Sequence, residues 1–284
     1  MTLPPFDLHR AATVEEAGEL LGCYGDDAVV YCGGTELLLL YKLGFAFYGH
    51  LVDVKPIEEL AGIQRENGTV VIGATATHRQ IERSPLVLDA IPALAEMERR
   101  VANIRVRNVG TLGGNLCFSD PHSDPATFLL AAEAGVECRQ AGAPARRLPI
   151  RDFLVGPHQT ALEAGELLVS VRVPLPPAGA RIVHRKLAFH ERPAVTVCCL
   201  ARVEDCAVAE ARIAVGSVGP VPVRATEAER VLTGKPPDDG VALAEAGALA
   251  AEAARPVEDA NGSVDYKANL VRVLVARTFR EATA

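Results

Sequence analysis

The sequence predicts an α+β fold in two domains, and three observations carry the prediction. Up to Pro174, strand-like and helix-like segments follow one another in mixed order. The stretch Pro174-Leu175-Pro176-Pro177-Ala178-Gly179 then continues neither a sheet nor a helix. Beyond it, three strand-like runs precede three helices, the pattern of a small sheet covered by helices. At 284 residues and 49% hydrophobic content, the chain is long enough for two such domains with a substantial core. The boundaries read as 1–176, with subdomains of about 1–60 and 61–176, and 177–284.

Thr13, with Glu16 three places on and helical apolar spacing behind it, predicts a helix to Leu21. The apolar run Ala28-Val29-Val30-Tyr31-Cys32 is a strand, a glycine turn follows, and a helix continues to about Leu43. Leu51 to Val54 is a short strand ended by Lys55-Pro56. Asn67-Gly68 sets a turn before the strand Thr69 to Ala74, Thr77 caps a helix to Glu82, and Pro92 to Arg100 is helical. Pro125 to Ala134 reads as a helix capped by Ser123 or Asp124. Val136–Cys138 and 148–150 are short strands. Glu166 to Pro174 alternates as a strand with Leu168, Ser170 and Arg172 on one face and Val169, Val171 and Val173 on the other. In the second domain the strands are Arg181 to Phe189, Ala194 to Val203 and Val208 to Val215. The helices are Thr226 to Leu232, Gly240 to Ala254 and Ser263 to Ala282.

Two glycine pairs carry the chemistry. In Cys32-Gly33-Gly34-Thr35-Glu36 a strand enters a tight turn with Thr35 in the position of a helix cap, which aims main-chain N–H groups at an anion. In Val109-Gly110-Thr111-Leu112-Gly113-Gly114-Asn115 the glycines permit a second nest of N–H donors, with the Thr111 hydroxyl and Asn115 amide beside it. Either pair alone marks no more than an ordinary turn. Together they suggest a diphosphate. Asp120 and Asp124 would repel that group, so a ligand role suits them better at sugar hydroxyls; a helix cap accounts equally well for Asp124.

Composition removes several function classes. A net charge of -7 and no long basic tract argue against nucleic acid. No apolar run reaches the ~18 residues of a membrane span and no signal sequence opens the chain, so the expectation is a cytoplasmic protein. Seven cysteines without a Cys-x-x-Cys pair make neither a disulfide framework nor a metal or iron–sulfur set. Cys32 and Cys117 lie at the glycine segments, with packing as their simplest role. The chain has no Gly-x-x-x-x-Gly-Lys-Ser/Thr, no Gly-x-Gly-x-x-Gly after a strand and no His-Glu-x-x-His.

The ordered set Cys32-Gly33-Gly34-Thr35-Glu36, Ile104-Arg105-Val106-Arg107-Asn108-Val109-Gly110-Thr111-Leu112-Gly113-Gly114-Asn115, Pro121-x-x-Asp124 and Lys186 resembles the FAD-binding medium subunit of molybdenum hydroxylases. Ser263-Val264-Asp265-Tyr266-Lys267 ahead of a helix with Arg277 is similar to that family's closing segment, so the likeness spans nearly the whole chain. It implies a PCMH-type FAD-binding fold of two α/β subdomains, followed by a C-terminal domain of a small antiparallel sheet packed with helices. FAD would lie between them. The implied diphosphate segments are Val30, Tyr31, Cys32, Gly33, Gly34, Thr35, Glu36 and Leu37 with Thr111, Leu112, Gly113, Gly114 and Asn115. Ile104, Val109, Gly110 and Ser123 adjoin them. Asp124 would bond near the ribose or ribityl chain, and Val101, Leu168 and Lys186 would border the flavin or adenine. A lysine near N1–C2 of the ring stabilises the reduced, anionic flavin; a surface lysine on a strand accounts nearly as well for Lys186.

The resemblance further implies a partner small subunit with two [2Fe-2S] clusters and a large molybdopterin subunit, in a heterotrimer or its dimer, with electrons leaving through FAD to an external acceptor. After Lys186 the family usually carries Arg-Arg and then an acidic residue, whereas this chain has His190-Glu191-Arg192-Pro193-Ala194. It also lacks the cysteine-bearing insertion of the 4-hydroxybenzoyl-CoA reductase branch. The second expectation is a self-sufficient flavoenzyme of the same fold, as a homo-oligomer; a third is a nucleotide-binding protein without redox chemistry.

Overall fold

The computed structural model describes residues 3–189 and 191–284. His190, in the segment where the sequence departs from the family pattern, lies outside the described residues.

The first subdomain is a three-stranded parallel sheet with His50–Asp53 between Asp7–Arg10 and Ala28–Tyr31. Thr13 caps the helix Val14–Tyr24 by accepting from Glu16 N–H, and the Glu16 carboxylate accepts in turn from Ala12 N–H. Val14 and Ala17 from this helix pack with Val52 and Val54 and with Leu167 and Val169 of a distant strand. The edge strand Asp7–Arg10 has no apolar alternation, and sequence reading missed it; parallel pairing with His50–Asp53 forms it. Thr35 does not cap the next helix. Leu37–Leu43 begins with Glu36 at the cap position and no side-chain cap bond.

The second subdomain is a five-stranded antiparallel sheet in the order Ile63–Glu66, Thr69–Gly73, Glu166–Pro174, Gly135–Gln140, Arg146–Pro149. Its central strand does not keep the expected faces. Between Leu168 and Ser170 the register slips by one residue, and this bulge turns Leu168 into the same core as Val171 and Val173, leaving Leu167 and Val169 with the first subdomain. Over this sheet pack His78–Arg83, Pro85–Ala90 and Pro92–Arg99. The first of these is fixed by a Thr77/Gln80 capping box.

The last sheet is antiparallel, Ala180–Ala188, Pro193–Glu204, Ala207–Gly216 and Val223–Arg224. Its second strand is buried on both faces, which is why its sequence is a continuous apolar run rather than an alternation. Cys198 and Leu200 join the core of the preceding subdomain beneath the helix Asp124–Ala131. Val197, Cys199 and Ala201 join a separate core under Gly240–Ala254 and Val264–Thr283.

Ser263 caps the closing helix, and Lys267, one turn in and 1% exposed, gives its ammonium to Asp259 at 2.7 Å and to the Val257 carbonyl at 2.9 Å. The Asp259 carboxyl is held below its usual range: Lys267 and the Asn261 N–H more than offset its partial burial. Replacing Lys267 with alanine takes the cation from that carboxylate and leaves the space of a fully buried side chain. We expect a loss of about 3 kcal/mol in denaturant unfolding, and a loss under 1 kcal/mol would remove the pair from this role.

Candidate functional site

The two glycine segments touch. A Cβ on Gly33 would lie 2.3 Å from the Val109 carbonyl oxygen and 2.8 Å from Gly110 Cα, so only glycine permits the approach. Gly34, at φ +69°, then turns the chain into the following helix.

The second segment is not the loop the sequence suggests. Asn103 caps a helix Ile104–Val109, Gly110 breaks it, and Thr111 caps another, Leu112–Phe118, that contains both glycines. Neither Gly113 nor Gly114 has positive φ. Gly113 is required by contact instead: a Cβ there would sit 2.6 Å from the Ala74 carbonyl oxygen. The first N–H groups of this helix are spent within the protein. Leu112 donates to Ala76 O, Gly113 to Ala74 O and Gly114 to the Thr111 hydroxyl. Free donors belong to the first segment, where the N–H groups of Gly34, Thr35 and Glu36 find no acceptor among the described residues. The nest expected from both pairs is therefore built by one and buttressed by the other.

Around this contact opens a cavity of about 660 Å³ that runs between both N-terminal subdomains and the turn before Pro193–Glu204. Of the residues picked out from sequence, Val30, Cys32, Gly33, Gly34, Thr35, Glu36, Leu37, Val101, Gly110, Thr111, Gly113, Gly114, Asn115, Ser123, Asp124 and Leu168 line it. Tyr31, Ile104, Val109, Leu112 and Lys186 do not. Leu112 is in the core, Val109 supports Gly33 from behind, and Ile104 is half exposed outside. Cys32 and Cys117 both face the cavity, and burial pushes the Cys32 thiol up against the opposing Thr111 hydroxyl and Lys55, so it stays uncharged.

The cap at the far end is Ser123, which accepts from Ala126 N–H and donates to Asn115 Oδ1 at 2.6 Å. That frees Asp124, at the first helical position, for another partner. Its Oδ2 accepts from Lys186 Nζ at 2.6 Å, while Lys186 also donates to the Arg100 carbonyl at 2.7 Å. Lys186 is thus held behind Asp124 and is not a freely exposed strand lysine. Burial pushes the Asp124 carboxyl up to about 6, against the opposing pull of Lys186. Next to it His184 is held down at about 3, first by burial and then by the cations Lys186, Arg100 and Arg185. At neutral pH its imidazole is uncharged, so its 3.8 Å approach to Asp124 Oδ1 is no ion pair.

Sequence reading singled out 190–194 as a departure from the family pattern but missed the strap that its described residues form beside the cavity. Glu191, Arg192 and Pro193 line it. Arg192 pairs with Glu36 at 2.9 Å and with Asp120, so one guanidinium joins the first glycine segment to the loop before Asp124. Asn103 donates to Glu191 at 2.7 Å, and the Pro193 carbonyl lies 2.8 Å from His122 Nδ1. Partners 71 to 156 positions apart left no local signal for any of these contacts. His78, also on the wall, is bonded to buried Glu98 at 2.6 Å.

Two family models account for the chain: FAD binding domain in molybdopterin dehydrogenase over residues 4–176, and CO dehydrogenase flavoprotein C-terminal domain over 182–282. The carbon monoxide dehydrogenase medium chain of Hydrogenophaga pseudoflava is 35% identical over 100% of this chain and 99% of its own length. A putative xanthine dehydrogenase FAD-binding subunit of Escherichia coli K12 is 30% identical, covering 97% of this chain and 95% of that one. Among solved structures, a chain of the Hydrogenophaga carbon monoxide dehydrogenase lacking the Mo-pyranopterin moiety superposes with a TM-score of 0.96 at 35% identity. That match covers 100% of this chain and 99% of the other. A chain of quinoline 2-oxidoreductase from Pseudomonas putida 86 superposes at 0.93 and 30% identity, covering 99% and 98%.

Proposed function

The chain belongs to the family of FAD-binding subunits of molybdopterin dehydrogenases, and from that premise we propose that FAD occupies the cavity between the glycine segments and the Arg192 strap. The observation that carries the placement is the row of free N–H donors at Gly34, Thr35 and Glu36 on the cavity wall, a ready anion site for the diphosphate. The rest of the lining fits the other parts of the molecule. Asn115 and Ser123 offer polar groups, Val101 and Leu168 offer apolar wall for a ring, and Asp124 Oδ1 is buried with no hydrogen-bond partner. We keep Lys186 as a residue acting through Asp124, and Tyr31, Ile104, Val109 and Leu112 as support.

The protein is the FAD-carrying electron-transfer subunit of an oxidoreductase complex. FAD accepts and releases electrons one or two at a time, which suits it to stand between iron–sulfur clusters and an external acceptor. This chain holds it, keeps water from its wall, and sets charge beside it. Its partners are a small [2Fe-2S] subunit and a large molybdopterin subunit, as for the medium chains it resembles. We place the domain division at 176/177, which the two family matches support. No described helix is long and apolar enough to cross a membrane, and a cytoplasmic location is our reading of that together with the seven unpaired cysteines.

The test is the visible spectrum of the purified full chain, with the released flavin identified. We expect about one FAD per chain. A colourless protein that takes up no added FAD overturns the placement.

A further inference from the structure

We infer that Asp124, at the cavity wall between Lys186 and His184, takes up a solvent proton on its free carboxylate oxygen whenever negative charge enters the flavin, and so compensates that charge. The inference rests on the FAD placement above. Four of the buried polar atoms that lack a partner gather behind one stretch of wall: Asp124 Oδ1, Glu98 Oε1 and both ring nitrogens of His184. A folded protein rarely leaves such atoms unpaired, and a group of them marks a place where a proton or a water belongs.

Among the described residues, four charged or titratable side chains act on or approach Asp124. Lys186, from Ala180–Ala188, holds Oδ2. His184, from the same strand, lies 3.8 Å from Oδ1 and is kept neutral by burial and nearby cations. Glu98 and His78, from Pro92–Arg99 and His78–Arg83, form a buried pair that acts on Asp124 with opposite signs. Glu98 is bonded to His78, which lines the cavity. Burial already raises the Asp124 carboxyl, and a negative charge added nearby raises it further. The step balances simply. Electrons come from the partner clusters, the proton comes from solvent, one O–H bond forms at Oδ1, and nothing else breaks.

The test compares oxidised and chemically reduced FAD-loaded full chain near neutral pH. An indicator dye counts protons taken up, and infrared difference spectra detect the C=O stretch of a protonated carboxylic acid. Wild type should gain an acid band on reduction. Asp124→Asn should lose it and take up one proton fewer per flavin, while Glu98→Gln should keep it. The inference is overturned if wild type shows no acid band, if the band vanishes in Glu98→Gln, or if Asp124→Asn keeps full uptake. Should Asp124→Asn fail to hold FAD, wild type and Glu98→Gln decide the matter. Failure of the FAD placement shows separately, as a missing chromophore.

Discussion

A chain carrying Gly33→Ala is expected to fold but to lose FAD on gel filtration, with affinity down about 10- to 100-fold. The added methyl would sit 2.3 Å from the Val109 carbonyl oxygen, a backbone atom that cannot rotate aside. Overpacking of this kind costs about 1–3 kcal/mol, and here the strain separates the two segments that form one wall of the cavity. The displaced backbone is the one that presents Gly34, Thr35 and Glu36. Gly22→Ala is the matched control. Its site has nothing within 4 Å, and alanine favours the helix Val14–Tyr24. Equal FAD affinity in the two variants, measured by quenching of flavin fluorescence, would remove Gly33 from the binding wall.

Acid unfolding of the flavin-free chain should depend on His184 with a sign that a variant can reveal. The unfolded imidazole takes its proton near 6.5 and the folded one near 3, so the unfolded state binds more protons between them. Stability from this group is intact above 6.5 and is lost as pH falls toward 3, on the order of 5 kcal/mol in all. Asp124 runs the other way. Its carboxyl takes a proton near 6 when folded and near 3.8 when unfolded, so the buried charge costs on the order of 3 kcal/mol at neutral pH, and acidification relieves that cost. Between 3.8 and 6 the two slopes cancel in the wild type. In His184→Leu the His184 slope is gone, so relative to wild type the variant should gain stability steadily as pH drops below 6.5. Urea unfolding at several pH values gives the difference directly. A difference that does not change with pH would mean that His184 is not held neutral in the fold.

Much of the fold was legible because its signals are local. Thr13, Thr77, Ser123 and Ser263 each cap the helix that follows them, since a cap needs only a side-chain oxygen and an N–H two or three residues on. One glycine pair owes its glycines to a different cause from the one its sequence suggests. The sequence of Gly113-Gly114 cannot distinguish a turn that needs positive φ from a helix pressed against a neighbouring backbone, because both ask for the missing Cβ. The faces of Glu166–Pro174 were misread in part because a bulge is set by the register of the partner strand Gly135–Gln140. Lys186 and Asp124 were both visible as candidates, yet their pairing, and the neutral His184 beside them, depend on burial.

By itself, then, the sequence determined the α+β class, many of the elements and the family, because caps, apolar periods and short motifs are properties of neighbouring residues. Only the tertiary structure decided which glycine segment keeps free donors, that Arg192 bridges Glu36 and Asp120, and that Asp124 sits unpaired at one oxygen. Those are matters of contact and desolvation between residues tens to more than a hundred positions apart, and no local pattern encodes the dielectric a side chain will meet.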